Sequence, residues 1–237
     1  MSYLSFIKDD ILEAIVKEVF NKAANAIAMS EKKLDRNVID PFSSLFEMSS
    51  LETDAEGWLA MEKVRQAQKT LSNHIGHFHQ SVIGAINGWT NLRANQQIDL
   101  INEDRQIIAE IKNKHNTIKG SDRYNTYTAL EGLVMPKGHK YKGYTAYYVA
   151  VIPKTAERYD KEFTPSISKT TSSCSPNHLI REIDGYSFYA LASGVEDAMS
   201  QTFDAIMSIV AKLKPHYKVD DKFIRGYFNK AFMPQEK

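Results

Sequence analysis

The stretch from 99 to 119, DLINEDRQIIAEIKNKHNTIK, constrains this chain more than any other. Two short runs rich in Ile and Leu, Ile98–Ile101 and Ile107–Ile111, flank the polar Asn102-Glu103-Asp104-Arg105, which is the pattern of a β-hairpin. Folding the chain about the middle of that turn sets Asp99 across from Glu110. Side chains alternate faces along a strand, so Glu110 and Lys112 project from the same face. Two carboxylates and an ammonium therefore converge at the end of a hairpin. Charges are rare inside apolar strands. A hard divalent cation, which takes oxygen ligands, would need them there. The competing explanation is an exposed hairpin edge blunted by charge.

The spacing is D-x10-E-x-K, with the apolar Ile111 inside the last triplet. A bare triplet is cheap: Glu31-Lys32-Lys33 reads E-x-K and Asp220-Asp221-Lys222 reads D-x-K. Both lie in or beside helical text, where no adjoining strand supplies a partner carboxylate. At Asp99, Glu110 and Lys112 the hairpin does supply one, and there the pattern matches the signature of the PD-(D/E)XK nucleases. The wider text LSNHIGHFHQSVIGAINGW, IDLIN and AEIKNKHNTIKGSD resembles the type II restriction endonucleases that cut GGNCC and its narrower variants. Asn113-Lys114 and Lys119-Gly120-Ser121-Asp122 carry most of the match, which is clear over residues 70 to 125 and weaker towards 190. Ile98 stands where the proline of the motif is usual.

The resemblance implies a mixed α/β fold whose core runs helix, β-hairpin, helix, strand, with added N- and C-terminal helices. It implies Mg²⁺ as cofactor, held by Asp99, Glu110 and the Ile111 carbonyl, with Lys112 as a compact positive charge beside the attacking water. Members of the superfamily often carry a Glu or Gln on the helix before the hairpin, directed at the metal or its water, and Gln80 fits that place. The partner is double-stranded DNA. A palindromic site calls for a C2 homodimer, each subunit cutting one strand. The resemblance also leads one to expect a cognate methyltransferase in the same system, without a stable complex. A structure-specific repair or recombination nuclease could share this core, as could a non-cleaving DNA-binding module.

Residue chemistry extends the reading to DNA contacts. Lys114, His115, Asn116 and Lys119 continue off the second strand of the hairpin towards backbone phosphates, with Ser121 following. Asn113 could meet a phosphate or a base edge. Reading G·C pairs calls for Arg or Lys at guanine O6 and N7, for which Arg123, Arg158, Lys169 and Arg181 are candidates. The residues from 111 to 145 carry six Lys and one Arg against Asp122 and Glu131, a balance of +5, whereas 47 to 62 carry five acids and no base. One face could thus bind a polyanion while another repels it, although the net charge is only +1.

A chain of 237 residues with 43% apolar and 25% charged content can bury a sizeable core, and is read as one domain. Within it, 1–50 form a helical arm, 53–153 the catalytic core, 154–193 a DNA-contact loop and strand, and 194–237 the C-terminal helices. The single Cys174 excludes an internal disulfide framework and suits a reducing compartment. There is no basic segment leading into an apolar one at the N-terminus and no apolar run of membrane-spanning length, so a cytoplasmic protein without membrane association is expected.

Along the chain, Ile7, Ile11, Ile15, Val19, Ala23 and Ile27 predict an amphipathic helix over 6–29. Residues 30–50 look mixed, with Asp40-Pro41 and paired serines marking turns. Residues 53–87 look helical, in one or two pieces, closed by Gly84, Asn87 and Gly88, with Trp89 as a core anchor. His74, His77 and His79 lack a nearby Cys or acid to complete a zinc set, and a structural or DNA-facing role fits them better. Ser121 or Asp122 caps a helix to about Val134, a crossover that sets the strand Tyr144–Ile152 parallel to its neighbour. Residues 164–178 form a turn-rich loop, either simply mobile or ordering on DNA. Gly185–Ala192 reads as a strand, Ser193–Glu196 as a capping box opening a helix to Leu213, and Asp220 as the cap of a last helix to Phe232.

Overall fold

The computed structural model of the chain describes residues 2–34, 38–92, 97–117, 120–167 and 172–234. In chain order its elements are α1 (Asp9–Leu34), α2 (Pro41–Leu51), α3 (Ala55–Gly84), β1 (Thr90–Asn91), β2 (Leu100–Asn102), β3 (Ile107–Lys114) and α4 (Gly120–Val134). There follow β4 (Thr145–Ile152), β5 (Asp160–Glu162), β6 (Ile180–Asp184), α5 (Gly185–Ser193), α6 (Ala198–Leu213) and α7 (Asp221–Phe232). The chain divides into two compact units, one of Met1–Glu13 with His79–Lys237 and one of Ala14–Phe78. None of the described helices is long and apolar enough to cross a membrane.

The first unit is built on a six-stranded sheet in the order β1-β2-β3-β4-β6-β5. Ile107, Ile108, Ala109 and Ile111 are all buried, as a central strand covered on both faces requires. The hairpin pairs Leu100 with Ala109 and Asn102 with Ile107. Its loop closes by two local bonds: Asn102 Oδ1 accepts from the Arg105 N–H at 3.0 Å, and Glu103 O accepts from the Gln106 N–H at 3.1 Å. Beyond the hairpin, α4 carries the chain over the sheet so that β4 returns parallel to β3, and β6 lies parallel to β4. This is the helix, hairpin, helix, strand order expected from the sequence, within a mixed α/β fold.

Alternation along β4 divides the core. Tyr148, Ala146 and Ala150 face α4 and join a cluster with Tyr127, Leu130, Leu133 and Val134 of that helix and Phe163. The spacing of those helical residues is one face of an α-helix, and burying each side chain stabilises by about 1.5–3 kcal/mol. Tyr147 points the other way and packs on Phe188 of α5, ring centroids 5.7 Å apart. Trp89, expected as a core anchor, is buried against the same Phe188 and donates its indole N–H to Ala192 O at 3.2 Å.

Three local readings are corrected, and one is narrowed. Asp40-Pro41 opens a helix: Asp40 caps α2 by accepting from the Phe42 N–H at 2.9 Å, and proline at a first helical position needs no N–H partner. The helix read over 53–87 in one or two pieces is narrowed to one, α3, unbroken from Ala55 to Gly84. Gly185–Ala192 is helical, and the strand is the preceding Ile180–Asp184. Asp184 stops the strand by capping α5, accepting from the Ser187 N–H at 3.0 Å and the Ser187 hydroxyl at 2.6 Å. The Ser193–Glu196 capping box does not form: Ser193 is the last residue of α5, Gly194 closes it at φ 75°, and α6 starts later behind Asp197.

The second unit, Ala14–Phe78, is all helical. Glu47 of α2 ties it to α3, accepting from the Trp58 indole at 2.9 Å and from the Arg65 guanidinium at 2.9 and 3.3 Å. These bonds hold the Glu47 carboxyl below the usual carboxylate range, the Arg65 bonds most and the Trp58 indole next.

Gly185 marks the closest backbone approach in the sheet unit, since a Cβ there would lie 2.3 Å from Val151 O and 2.6 Å from Val151 Cα. Gly185→Ala should therefore lower stability by at least ~2 kcal/mol through overpacking. Gly132, exposed on α4 with nothing within 4 Å of a Cβ, is the contrast: Gly132→Ala should gain about 0.5–1 kcal/mol. Urea unfolding of the two variants reads both effects.

Candidate active site

The hairpin's two strands part just where its charges lie. The Asp99 N–H still donates to Ala109 O at 3.0 Å, but the next bond in the ladder is made by a side chain: Asp99 Oδ2 accepts from the Ile111 N–H at 2.7 Å. A carboxylate replaces the backbone carbonyl, and the cross-strand neighbours Asp99 and Glu110 are drawn together. N–H and C=O of one strand residue point towards the same neighbouring strand, so the Ile111 carbonyl is directed to the Asp99 side, away from β4.

Glu110 lies on the α4 face of β3 and accepts from Lys112 Nζ at 2.5 Å. The side chains of Glu110 and Lys112 are 18% and 27% exposed, so the pair is mostly withdrawn from water but open on one side. Burial pushes the Glu110 carboxyl above its ordinary range, the Asp99 charge adds to that, and Lys112 opposes it. Burial works to lower the Lys112 pKa, but the Glu110 and Asp99 carboxylates outweigh it and hold the ammonium above its usual value. The structure thus brings Asp99, Glu110, Ile111 and Lys112 into one cleft.

The donor set suits a small hard cation. Two carboxylates and a main-chain carbonyl supply part of an octahedron and leave room for water and phosphate oxygens, as Mg²⁺ prefers. The strain between the two carboxylates is what a divalent cation would relieve. Among the described residues no group of three or more His, Cys, Asp or Glu side chains is placed to hold a metal. His79 is half-buried with its Nδ1 2.8 Å from the Tyr189 hydroxyl, and desolvation lowers its pKa to about 4, which suits a neutral structural histidine. Gln80 is half-buried in the C-terminal part of α3.

The other sequence candidates are spread out. Lys114 is exposed and shares the face of Glu110 and Lys112, whereas Asn113 alternates to the opposite face. His115 extends the strand by donating its N–H to Ile152 O at 2.9 Å, and Asn116 and Ser121 are exposed. Lys119 and Lys169 lie outside the described residues. The arginines are engaged within the protein. Arg123 pairs with Glu182 at 2.8 Å, Arg181 with Asp160 at 2.6 Å, and Arg158 sits 3.5 Å over the Tyr186 ring. The decoy triplets are helical: Glu31–Lys33 falls within α1, and Asp220 is used as the cap of α7, accepting from the Phe223 N–H at 3.0 Å.

One neighbour escaped the sequence reading. Tyr148 stands beside Glu110 in the parallel ladder, on the same face, with Glu182 beyond it. Only the β3–β4–β6 register brings these residues together, and no local pattern encodes it.

The mixed sheet with its charged hairpin end is consistent with a restriction-endonuclease-like fold, and comparison with known proteins gives the family. The family model described as Eco47II restriction endonuclease matches residues 4–214. The type II restriction enzyme Eco47II of Escherichia coli is 42% identical over 206 residues, covering 87% of this chain and 86% of that enzyme. The type II restriction enzyme Sau96I of Staphylococcus aureus is 33% identical over 203 residues, covering 84% and 76%. The chain belongs to the Eco47II restriction endonuclease family. It is accordingly a type II restriction endonuclease, which cleaves DNA site-specifically. The match ends before α7, so the Asp220–Lys222 decoy lies beyond it.

The Asp99 bond to Ile111 makes two substitutions diverge. Asp99→Ala leaves the Ile111 N–H without its acceptor and should cost about 1–3 kcal/mol, whereas Asp99→Asn keeps an oxygen there and should stay near wild type. Thermal unfolding of the two variants decides it, and equal melting temperatures would remove the carboxylate from the ladder.

Proposed function

We propose that the chain hydrolyses DNA phosphodiesters at the Asp99–Glu110–Lys112 cleft with Mg²⁺, within GGNCC or a restricted form of it, leaving 5′-phosphate ends and a short 5′ overhang. One observation carries the reading: the 2.7 Å bond from Ile111 N–H to Asp99 that draws two carboxylates beside a paired lysine. Asp99, Glu110 and the Ile111 carbonyl hold the cation, and Gln80 serves the site from α3. The cation, when bound, lowers the pKa of a water and polarises the phosphate. Lys112 stands against the attacking water and the non-bridging oxygen as a fixed positive charge, which needs no reorganisation as the reaction proceeds. Lys114, on the same face, meets a neighbouring phosphate together with His115, Asn116, Lys119 and Ser121, while Asn113, Arg123, Arg158, Lys169 and Arg181 supply the remaining contacts. The whole chain acts as one restriction-endonuclease-like domain. It works as a cytoplasmic C2 homodimer, each subunit cutting one strand, alongside a cognate methyltransferase that forms no stable complex with it.

Asp99→Asn, Glu110→Gln and Lys112→Ala should each slow cleavage by on the order of 100- to 1,000-fold or more, with folding and DNA binding retained. Lys222→Ala, at the decoy on α7, should cut normally. Single-turnover cleavage in Mg²⁺ measures all four, and a Lys112→Ala enzyme that cuts at the wild-type rate would sink the assignment.

Specificity is tested with duplexes that differ at one base pair each, at fixed salt and Mg²⁺. A dimer reads a palindrome with an odd central pair symmetrically only by leaving that pair uncontacted or sensing its deformability. Each outer G·C substitution should cost about 1–3 kcal/mol, and the central one far less. Equal discrimination at the centre and the flanks, or fragment ends elsewhere, rules out the GGNCC reading.

A further inference from the structure

Tyr148 is fully buried on β4, with Glu110 as its register neighbour on one side and Glu182 on the other. Registered neighbours project from the same face, so the three form a row across the sheet, and Lys112 stands one step further along β3. The ring is clamped: Phe163 stacks on it at 4.7 Å with a 7° interplanar angle, and the Arg123 guanidinium lies 5.0 Å from its centroid. Arg123 is in turn tied to Glu182 at 2.8 Å. The Tyr148 hydroxyl has no hydrogen bond of good geometry, and its one polar neighbour on the Arg123 side is the guanidinium, a donor only.

That hydroxyl also stands within electrostatic reach of Lys112. Burial raises the Tyr148 phenol's pKa, while the charge of Arg123, that of Lys112 and a hydrogen bond from Arg123 act against the rise. In the free protein the Lys112 ammonium is held by Glu110 Oε1. A divalent cation that takes the oxygens of Glu110 and Asp99 leaves Lys112 in need of another acceptor. Glu182 is already paired with Arg123, whereas the phenolic oxygen of Tyr148, with two lone pairs, keeps acceptor capacity beyond whatever Arg123 takes.

We propose that Tyr148 is a positioning residue for cleavage: its Oη accepts a hydrogen bond from Lys112 Nζ when the metal claims Glu110, and so keeps the ammonium against the scissile phosphate. This rests on the assignment of Asp99, Glu110 and Lys112 given above. Phe at 148 keeps the ring, its stacking and its volume, and removes only the oxygen.

The experiment is single-turnover cleavage of a duplex carrying the mapped site, in Mg²⁺, with DNA affinity measured in Ca²⁺ and melting temperature recorded. The set is wild type, Tyr148→Phe, Lys112→Ala and the double variant, followed over hours to capture residual rates. Tyr148→Phe should lose roughly 10- to 100-fold in rate, the range for a misplaced catalytic group, with affinity and melting temperature unchanged. In the Lys112→Ala background the same change should add nothing. Wild-type cleavage by Tyr148→Phe overturns the inference. So does an equal loss in both backgrounds, or a loss that follows affinity and melting temperature. Should Tyr148→Phe fail to fold, 4-fluorophenylalanine at 148, which fills the para position with a poor acceptor that cannot ionise, should slow cleavage, and an unchanged rate overturns the inference. Wild-type cleavage by Lys112→Ala identifies a failure of the site assignment itself, which is thereby distinguished from a failure of the role given to Tyr148.

Discussion

The bond from the Ile111 N–H to the Asp99 carboxylate is the interaction on which the site depends. A hairpin ladder that ran on unbroken would use a main-chain carbonyl there and leave no cleft. By starting β2 only at Leu100 and letting the Asp99 side chain make the bond beyond it, the chain parts its strands without orphaning a donor. The same step turns the Ile111 carbonyl and the Glu110 carboxylate towards one space. β4 fixes the other side of β3, since its parallel register runs from Ile107 to Lys114 and keeps Glu110 and Lys112 on one rigid strand.

The electrostatics of the cleft oppose one another. Glu110 has its pKa raised by burial and by Asp99, so above the ordinary carboxylate range its ionised form costs folding free energy, and acid relieves that cost as pH falls towards its folded value. Lys112 has its pKa raised by the same carboxylates, against its own burial, so its contribution favours the fold at neutral pH and fades only as pH rises past the usual lysine range. The two terms partly cancel near neutrality. Two carboxylates against one ammonium leave the cluster short of positive charge.

The hairpin, the crossover helix and the buried strand after it were legible because each rests on a local pattern: apolar runs about a polar turn, a polar and acidic start to a helical run, and β-branched and aromatic residues in succession. The helix α4 opens at Gly120, so Ser121 and Asp122 lie in its first turn instead of capping it. The helix at 41–51 and the one at 185–193 were not. In the first, Asp-Pro serves equally as a turn and as cap plus first helical residue, and only the bonds made by Asp40 separate the two. In the second, GYSFYALA suits a strand by composition, and the outcome turns on Asp184 finding the Ser187 N–H and hydroxyl. The charged triad could be read because its members sit on neighbouring strands of one hairpin. Tyr148 could not, since it reaches Glu110 through a parallel register set by a 15-residue helix between them.

The arginines show how residue type and placement part company. Arg123 and Arg181 are both paired with carboxylates, but they are not held alike. Arg181 and Asp160 have side chains 26% and 36% exposed, and a pair so open to water contributes only about 0–1 kcal/mol, an amount a DNA phosphate or a guanine edge can replace. Arg123 is packed against the rings of both Tyr148 and Phe163 and bonded to a Glu182 side chain only 13% exposed. Withdrawing it would leave that carboxylate buried without its cation, a cost well above that of a surface pair. Of the two, Arg181 gives up its partner at the smaller cost, and Arg123 can leave its place only by giving up both rings and the Glu182 carboxylate.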